Sequence, residues 1–288
     1  MSRLPNLKTR IFVDGSDTDQ TRQLLELMGF LDGQTTNPTN FIKSAEMQEK
    51  IKNGEQFSKE ELLEAYKKKI QEISSLIPDG SVSIEVYADQ NTKAEEMLTQ
   101  AHKMYKWISN GHIKLPITHE GLRAAEMLAS EGKRVNMTLC FTQEQAAAIY
   151  AATRSAKKGD VFISPFIGRL DDDGLRGIDL IQNIVEMYKK GDGHVEVLAA
   201  SIRGAEAISD SIGVGVDILT GTFDAIKIWA AAGMPISTSE EIASRAGTKI
   251  EYKEISLEKN WQDYDISHPK TDDGLKRFAD DWNKTIGV

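Results

Sequence analysis

One cysteine, Cys140, stands in a chain of 288 residues. That excludes an intramolecular disulfide and a cysteine-rich zinc centre, and it suits a reducing compartment. The five histidines show no metal-ligand spacing, so neither a metal nor another cofactor is expected. Basic excess is missing too: 35 lysines and arginines face 44 acids, a formal charge of −9. A general nucleic-acid or anionic-membrane binder needs a basic face, which argues against both as partners, although local basic pockets stay open. No apolar run approaches the roughly 20 residues of a membrane span, and the opening MSRLPNLKTR has no apolar core of signal-peptide length. The expectation is a cytoplasmic protein whose oligomeric state, homo-oligomer included, the sequence does not fix.

What is present is alternation. The runs at 10–15, 33–38, 81–88, 112–117, 134–140, 160–166, 195–201 and 216–221 read as strands. Between them lie helical patterns at 92–109, 142–156, 178–190 and 222–232, the first opened by a candidate capping box of Thr92 and Glu95. Eight strands, each followed by a helix, predict a closed parallel (β/α)8 TIM barrel over about 10–235, within one domain covering 1–288. A doubly wound sheet would have fewer strands and a glycine-rich first turn, which is absent here. Residues 44–77 read as a charged helical insert with a solvated face. The extension from about 240 to 288 ends in an added C-terminal helix with Leu275, Phe278, Trp282 and Ile286 at helical spacing, expected to pack across the barrel as a structural element.

Side chains alternate across a strand, so parity sorts them into faces. Val82, Ile84 and Val86 oppose Ser83 and Glu85; Ile113, Leu115 and Ile117 oppose His112 and Lys114; Val135, Met137 and Leu139 oppose Asn136 and Thr138. The polar parity then points into the barrel. Asp14, Asn37, Glu85, Lys114, Asn136, Thr138 and Ser164 should converge at the C-terminal mouth, where barrels carry their chemistry. An ion pair of Lys114 with Glu85 or Asp14 could simply fill a barrel layer. Six strands each placing a polar group near one end is harder to explain structurally, because every buried polar group needs its own partner.

A lysine in that setting is a nucleophile if its amine, ordinarily near pKa 10.4, is kept partly neutral. It would attack a ketone to give a carbinolamine and then a Schiff base. Glu85 suits the proton transfers that expel water, and Asp14 suits removal of a hydroxyl proton as a carbon–carbon bond breaks. Asn37 and Asn136 can bond sugar hydroxyls, and Thr138 can hold a relay water. Arg169 in SPFIGR and Arg203 in AASIRG add guanidinium forks for an anion such as phosphate, although Arg169 could instead pair with Asp171 to Asp173. The turn GVGVD at 213–217 could cradle a phosphate, but two glycines before a strand read rather as a tight loop. His112 reads as a barrel-bottom or surface residue, and Cys140 as an inert apolar filler.

The blocks FVDGSDTDQTRQLLELMGFLDGQTTNPTNF, IEVYAD, IKLPITHEGLRA, NMTLCFTQEQA, SPFIGRLDD and ASIRG, in that order over about 10–235, resemble the transaldolase family. The tail TDDGLKRFADDW is similar to the C-terminal helix of its longer members. The resemblance implies a cofactor-free transferase of pentose phosphate metabolism. Lys114 would be the Schiff-base lysine, Glu85 and Asp14 acid/base groups, and Thr138 the holder of a catalytic water. Asn37, Asn136 and Ser164 would touch substrate hydroxyls; Arg169, Ser201 and Arg203 would hold the phosphate. The implied reaction moves a dihydroxyacetone unit from a ketose phosphate, fructose 6-phosphate or sedoheptulose 7-phosphate, to an aldose phosphate such as erythrose 4-phosphate. A short branch of the family releases free dihydroxyacetone as a fructose-6-phosphate aldolase and carries glutamine and tyrosine where this chain has Glu85 and Phe166. Gly15 departs from the family's usual threonine. That aldolase and a non-catalytic sugar-phosphate binder are the competing readings; a binder would need the arginines without the Lys114–Glu85 pair.

Overall fold

Eight strands pair in parallel in strict chain order, and the last closes on the first: β1 (Arg10–Asp14), β2 (Gly33–Thr35), β3 (Ser81–Glu85), β4 (Gly111–Pro116), β5 (Val135–Cys140), β6 (Val161–Pro165), β7 (Val195–Ile202) and β8 (Ile218–Gly221). The computed structural model describes residues 3–55 and 57–286. Helices follow every strand and cover the barrel, so β3 through β6 are buried along their whole length. The expected TIM barrel with an added C-terminal helix is the observed fold. Among the described residues no helix is long and apolar enough to cross a membrane.

Register carries the parity argument into three dimensions. Glu85 sits beside Lys114, Lys114 beside Asn136, and Thr138 beside Ser164 on neighbouring strands, so the polar set shares one face. The barrel's lower end is closed by a stack: Arg10 pairs with Glu196 at 2.6 Å and lies over Phe162, whose ring stacks on His112 at 3.9 Å. Higher up, Asn136 donates to Ser83 at 3.0 Å and accepts from Ser164 at 2.7 Å. These layers fill the lower and middle barrel, and barrels of this kind carry their chemistry at the opposite, upper end.

Several boundaries differ from the sequence reading. β2 ends at Thr35, and Asn37 caps the short helix Pro38–Ile42, its Oδ1 accepting from the Asn40 N–H at 2.7 Å. Proline at the first helical position ends the strand run and favours the helix. The helix after β3 is Ala94–Met104, and Thr92 does not cap it; Thr92 donates to Asp89, while the Glu96 carboxylate accepts from the Lys93 N–H. The charged segment 44–77 is only partly an insert. Helix Lys59–Leu76 is the crossover between β2 and β3, burying Leu62, Tyr66, Ile70 and Ile73, and Ala45–Lys52 is the addition. Its Glu46 reaches the nearly buried Lys69 at 2.9 Å.

Beyond the last barrel helix, Phe223–Ala231, the chain runs as a strap whose backbone is met by side chains of the barrel helices. Gln143 exchanges two bonds with Lys253, Asn183 donates to Ile250 O, and Gln145 donates to Ile266 O. The strap delivers the helix Pro269–Thr285 to the top of the barrel. Leu275, Phe278 and Trp282 are buried, while Ile286 falls just past the helix end and is half-buried. The close approach depends on Gly274, where a Cβ would lie 2.6 Å from Leu139 Cδ2 and 2.8 Å from Arg169 Nη1.

Candidate active site

The mouth of the barrel holds a cleft of about 240 Å³. Lys114 forms part of its wall, and its Nζ donates to Glu85 Oε2 at 2.9 Å, with both side chains almost fully buried. The Thr36 carbonyl lies 3.4 Å from the same nitrogen. Of the two ion pairs the sequence left open, Lys114–Glu85 is the one formed. Burial pushes the Glu85 carboxyl up from its ordinary range, and the Asp14 charge adds to this, against the opposing pull of Lys114 and Arg169.

Asp14 ends β1 on the same cleft. Its Oδ1 accepts from Thr35 Oγ1 at 2.9 Å and from Asn40 Nδ2 at 3.0 Å, and Thr35 in turn meets Thr220 at 2.7 Å. The carboxylate is thereby fixed by β2, β8 and the cap region of helix Pro38–Ile42. Asn37 and Ser164 also line the cleft, whereas Asn136, Glu85 and Thr138 sit behind its wall. Asn136 has its amide and carbonyl engaged by Ser83 and Ser164, so it acts on the cleft through Ser164. Thr138 Oγ1 is buried and has no hydrogen-bond partner among the described residues. A buried hydroxyl in that state is a natural place to hold a water.

Two strand ends carry bulges. Register shifts between Thr138 and Cys140 on β5 and between Ala199 and Ile202 on β7, and Leu139 and Ser201 take left-handed φ values of 66° and 61°. Such conformations cost of order 1–3 kcal/mol each and gather at functional sites. Here the first presents Leu139 O to Thr271 Oγ1 of the C-terminal helix at 2.9 Å, and the second sets Ser201 in the cleft wall. Gly168 permits the second: a Cβ there would lie 2.3 Å from Ser201 O.

Three guanidiniums close the cleft on one side, Arg169, Arg203 and Arg277. Arg203 bonds Asp172 at 2.6 Å, while Arg169 stands over the Phe166 and Phe278 rings at 5.2 and 5.9 Å with its Nη2 buried and unpartnered among the described residues. Burial, then the charges of Arg277 and Arg203, bring Arg169 down to about 10. A cluster that repels itself in this way is relieved by an anion. The aspartate run anticipated as a partner for Arg169 pairs elsewhere: Asp172 with Arg203, and Asp173 with Lys270 at 2.7 Å.

Sequence reasoning missed Arg277 and Phe278, because the tail was read only for its apolar stripe and nothing in that stripe says which end of the barrel it meets. Thr35 and Thr220 were legible, since each has the inward parity of its strand. His112 lies at the barrel bottom, buried, and burial brings it down to about 3. Cys140 is buried, and burial pushes its thiol up to about 12.

Comparison with known proteins places the chain in a family. A sequence profile of the Transaldolase/Fructose-6-phosphate aldolase family matches residues 11–288. The "Probable transaldolase" of Brucella anthropi is 34% identical over 276 residues, covering 96% of this chain and 97% of that protein. The protein of the same name from Paracoccus denitrificans matches to the same extent. Among solved structures, 3-hexulose-6-phosphate synthase from Salmonella typhimurium aligns with a TM-score of 0.46 at 10% identity, over 78% of this chain and 97% of that one. The chain belongs to the transaldolase/fructose-6-phosphate aldolase family and is an enzyme of that transferase or aldolase kind.

Proposed function

We propose that the chain is a transaldolase that moves a dihydroxyacetone unit between sugar phosphates through a Schiff base on Lys114. The observation that carries this is the buried 2.9 Å pair of Lys114 and Glu85, placed at a cleft walled by three arginines. Burial favours an uncharged Glu85, which suits it to give a proton during Schiff-base formation. The amine adds to C2 of a ketose phosphate whose phosphate rests on Arg169, Arg203, Arg277 and Ser201. Glu85, acting through a water on Thr138, protonates the departing hydroxyl, and water leaves as the iminium forms. Asp14 then accepts the C4 hydroxyl proton while the C3–C4 bond breaks. An aldose phosphate departs, and the three-carbon enamine stays on Lys114. Addition to the acceptor aldehyde runs the same steps in reverse. Asn37 and Ser164 hold substrate hydroxyls, with Asn136 fixing Ser164. No cofactor enters any of these steps, and the place of work is the cytoplasm.

Glu85 and Phe166, the transferase-like residues of the resemblance, support transfer over simple cleavage; Phe166 lines the cleft. The test is product analysis on fructose 6-phosphate with and without erythrose 4-phosphate. Formation of sedoheptulose 7-phosphate that needs the acceptor supports the transferase. Free dihydroxyacetone accumulating equally without acceptor makes the protein a fructose-6-phosphate aldolase, and binding without turnover refutes both.

A further inference from the structure

The C-terminal helix meets the anion clamp at more than Arg277. Phe278, the next residue, is 5% exposed and lines the cleft. Its ring faces three cations: Arg169 Cζ at 5.9 Å, Arg277 Cζ at 5.6 Å and Lys114 Nζ at 5.9 Å. Phe166, just past β6, brings a second ring to Arg169, 5.2 Å from the same Cζ. One turn before Phe278, Gly274 lets the helix backbone close on this guanidinium too, since a Cβ there would lie 2.8 Å from Nη1.

Arg169 is held in a way that its neighbours are not. Each nearby aspartate is engaged elsewhere: Asp171 accepts from the Gly177 N–H at 2.8 Å, Asp172 pairs with Arg203 and Asp173 with Lys270. The Arg169 Nη2 is nevertheless buried, with no partner among the described residues. A buried charge ordinarily has an opposite charge beside it, and here ring faces take that place. The quadrupole of a ring attracts a cation but, unlike a carboxylate, brings no full negative charge that an incoming anion must displace. The guanidinium keeps its donor fork for that anion. Arg203, tied to Asp172 at 2.6 Å, has to exchange one partner for another.

We infer that Phe278 and Phe166 are positioning residues for anion binding, two ring faces that hold the Arg169 guanidinium at the cleft without a carboxylate partner. The anion they prepare it for is a phosphate monoester. This rests on the functional reading above for the identity of the ligand, a sugar phosphate, and not for the aromatic bracket itself.

Inorganic phosphate is the probe, because its binding to the full chain, followed by 31P NMR shift titration, needs no turnover. Phe278→Leu keeps apolar bulk and removes the ring, and the phosphate Kd should rise about tenfold, the size of a partly desolvated cation–π contact. In an Arg169→Met background the same substitution should change Kd by less than about twofold, because the ring acts through Arg169 rather than through Arg277 or the packing of the helix. Phe166→Leu should repeat both results without altering the C-terminal helix, and it decides the matter if F278L does not fold. Unchanged or tighter phosphate binding in either folded variant, a loss that persists in full in the Arg169→Met background, or a wild type that binds no phosphate would overturn the inference. If phosphate binding follows the expected pattern while the wild type turns over no ketose phosphate, the functional reading fails and the bracket stands.

Discussion

Two carboxyl groups, one amino group and one hydroxyl without a partner among the described residues carry the proposed chemistry at the scale of single residues. Glu85 and Asp14 are the same functional group in different surroundings: Glu85 is buried against Lys114, while Asp14 is half-buried and held by Thr35 and Asn40. Such differences separate acid from base roles. Thr138 offers the sharpest test among these residues. Its buried Oγ1 has no partner among the described residues, so Thr138→Val exchanges a hydroxyl for a methyl of similar shape without breaking a bond. Thermal stability should hold or rise, since an orphaned polar group is removed. If that hydroxyl positions the water of Schiff-base formation, kcat should fall by about ten- to a hundredfold. A variant with both stability and kcat unchanged would show that Thr138 holds nothing the reaction uses.

At the scale of elements, the C-terminal helix is part of the site. It is fixed by Thr271 on Leu139 O, by Thr39 on Asp281 and by Asn283 on Tyr87, and it brings Arg277 to the cleft. Arg277→Ala should raise KM for a ketose phosphate by about ten- to a hundredfold, the loss of one charge-assisted contact, with a smaller change in kcat. The same variant should differ little from wild type on the unphosphorylated ketose; an equal loss there would mean that Arg277 does not meet the phosphate. The strand order and the inward polar set were legible because β-parity and register obey local rules, and Glu85 beside Lys114 follows from both. Arg277 was illegible for the opposite reason. Its place depends on a strap of irregular chain held by Gln143, Gln145 and Asn183, which no periodicity announces. Asn37 was misplaced on a strand because TTNP reads as extended until Pro38 starts a helix.

The whole molecule divides along the barrel axis, with the cleft at the upper end and a buried stack closing the lower. His112 belongs to the lower end, stacked on Phe162, bonded to Ser81 at 2.8 Å and near the Arg10 and Arg134 charges. Burial, followed by those two charges, brings it down to about 3 from an ordinary value of 6.5. Below pH 6.5 the unfolded chain takes up a proton that the folded one refuses. The stabilisation is therefore complete above pH 6.5 and is lost progressively as pH falls toward 3, by an amount on the order of a few kcal/mol. His112→Gln should flatten the decline of melting temperature between pH 6.5 and 4, and parallel curves for the two proteins would refute a buried neutral imidazole. Because His112 does not line the cleft, activity per folded molecule should not follow this titration.

The central claim is that Lys114 bonds covalently to substrate, and intact mass after incubation with fructose 6-phosphate and borohydride tests it most directly. The account predicts a reduced adduct on the wild type that maps to Lys114, and none on Lys114→Ala. An adduct that persists on Lys114→Ala, or turnover by a wild type that never traps one, would contradict it.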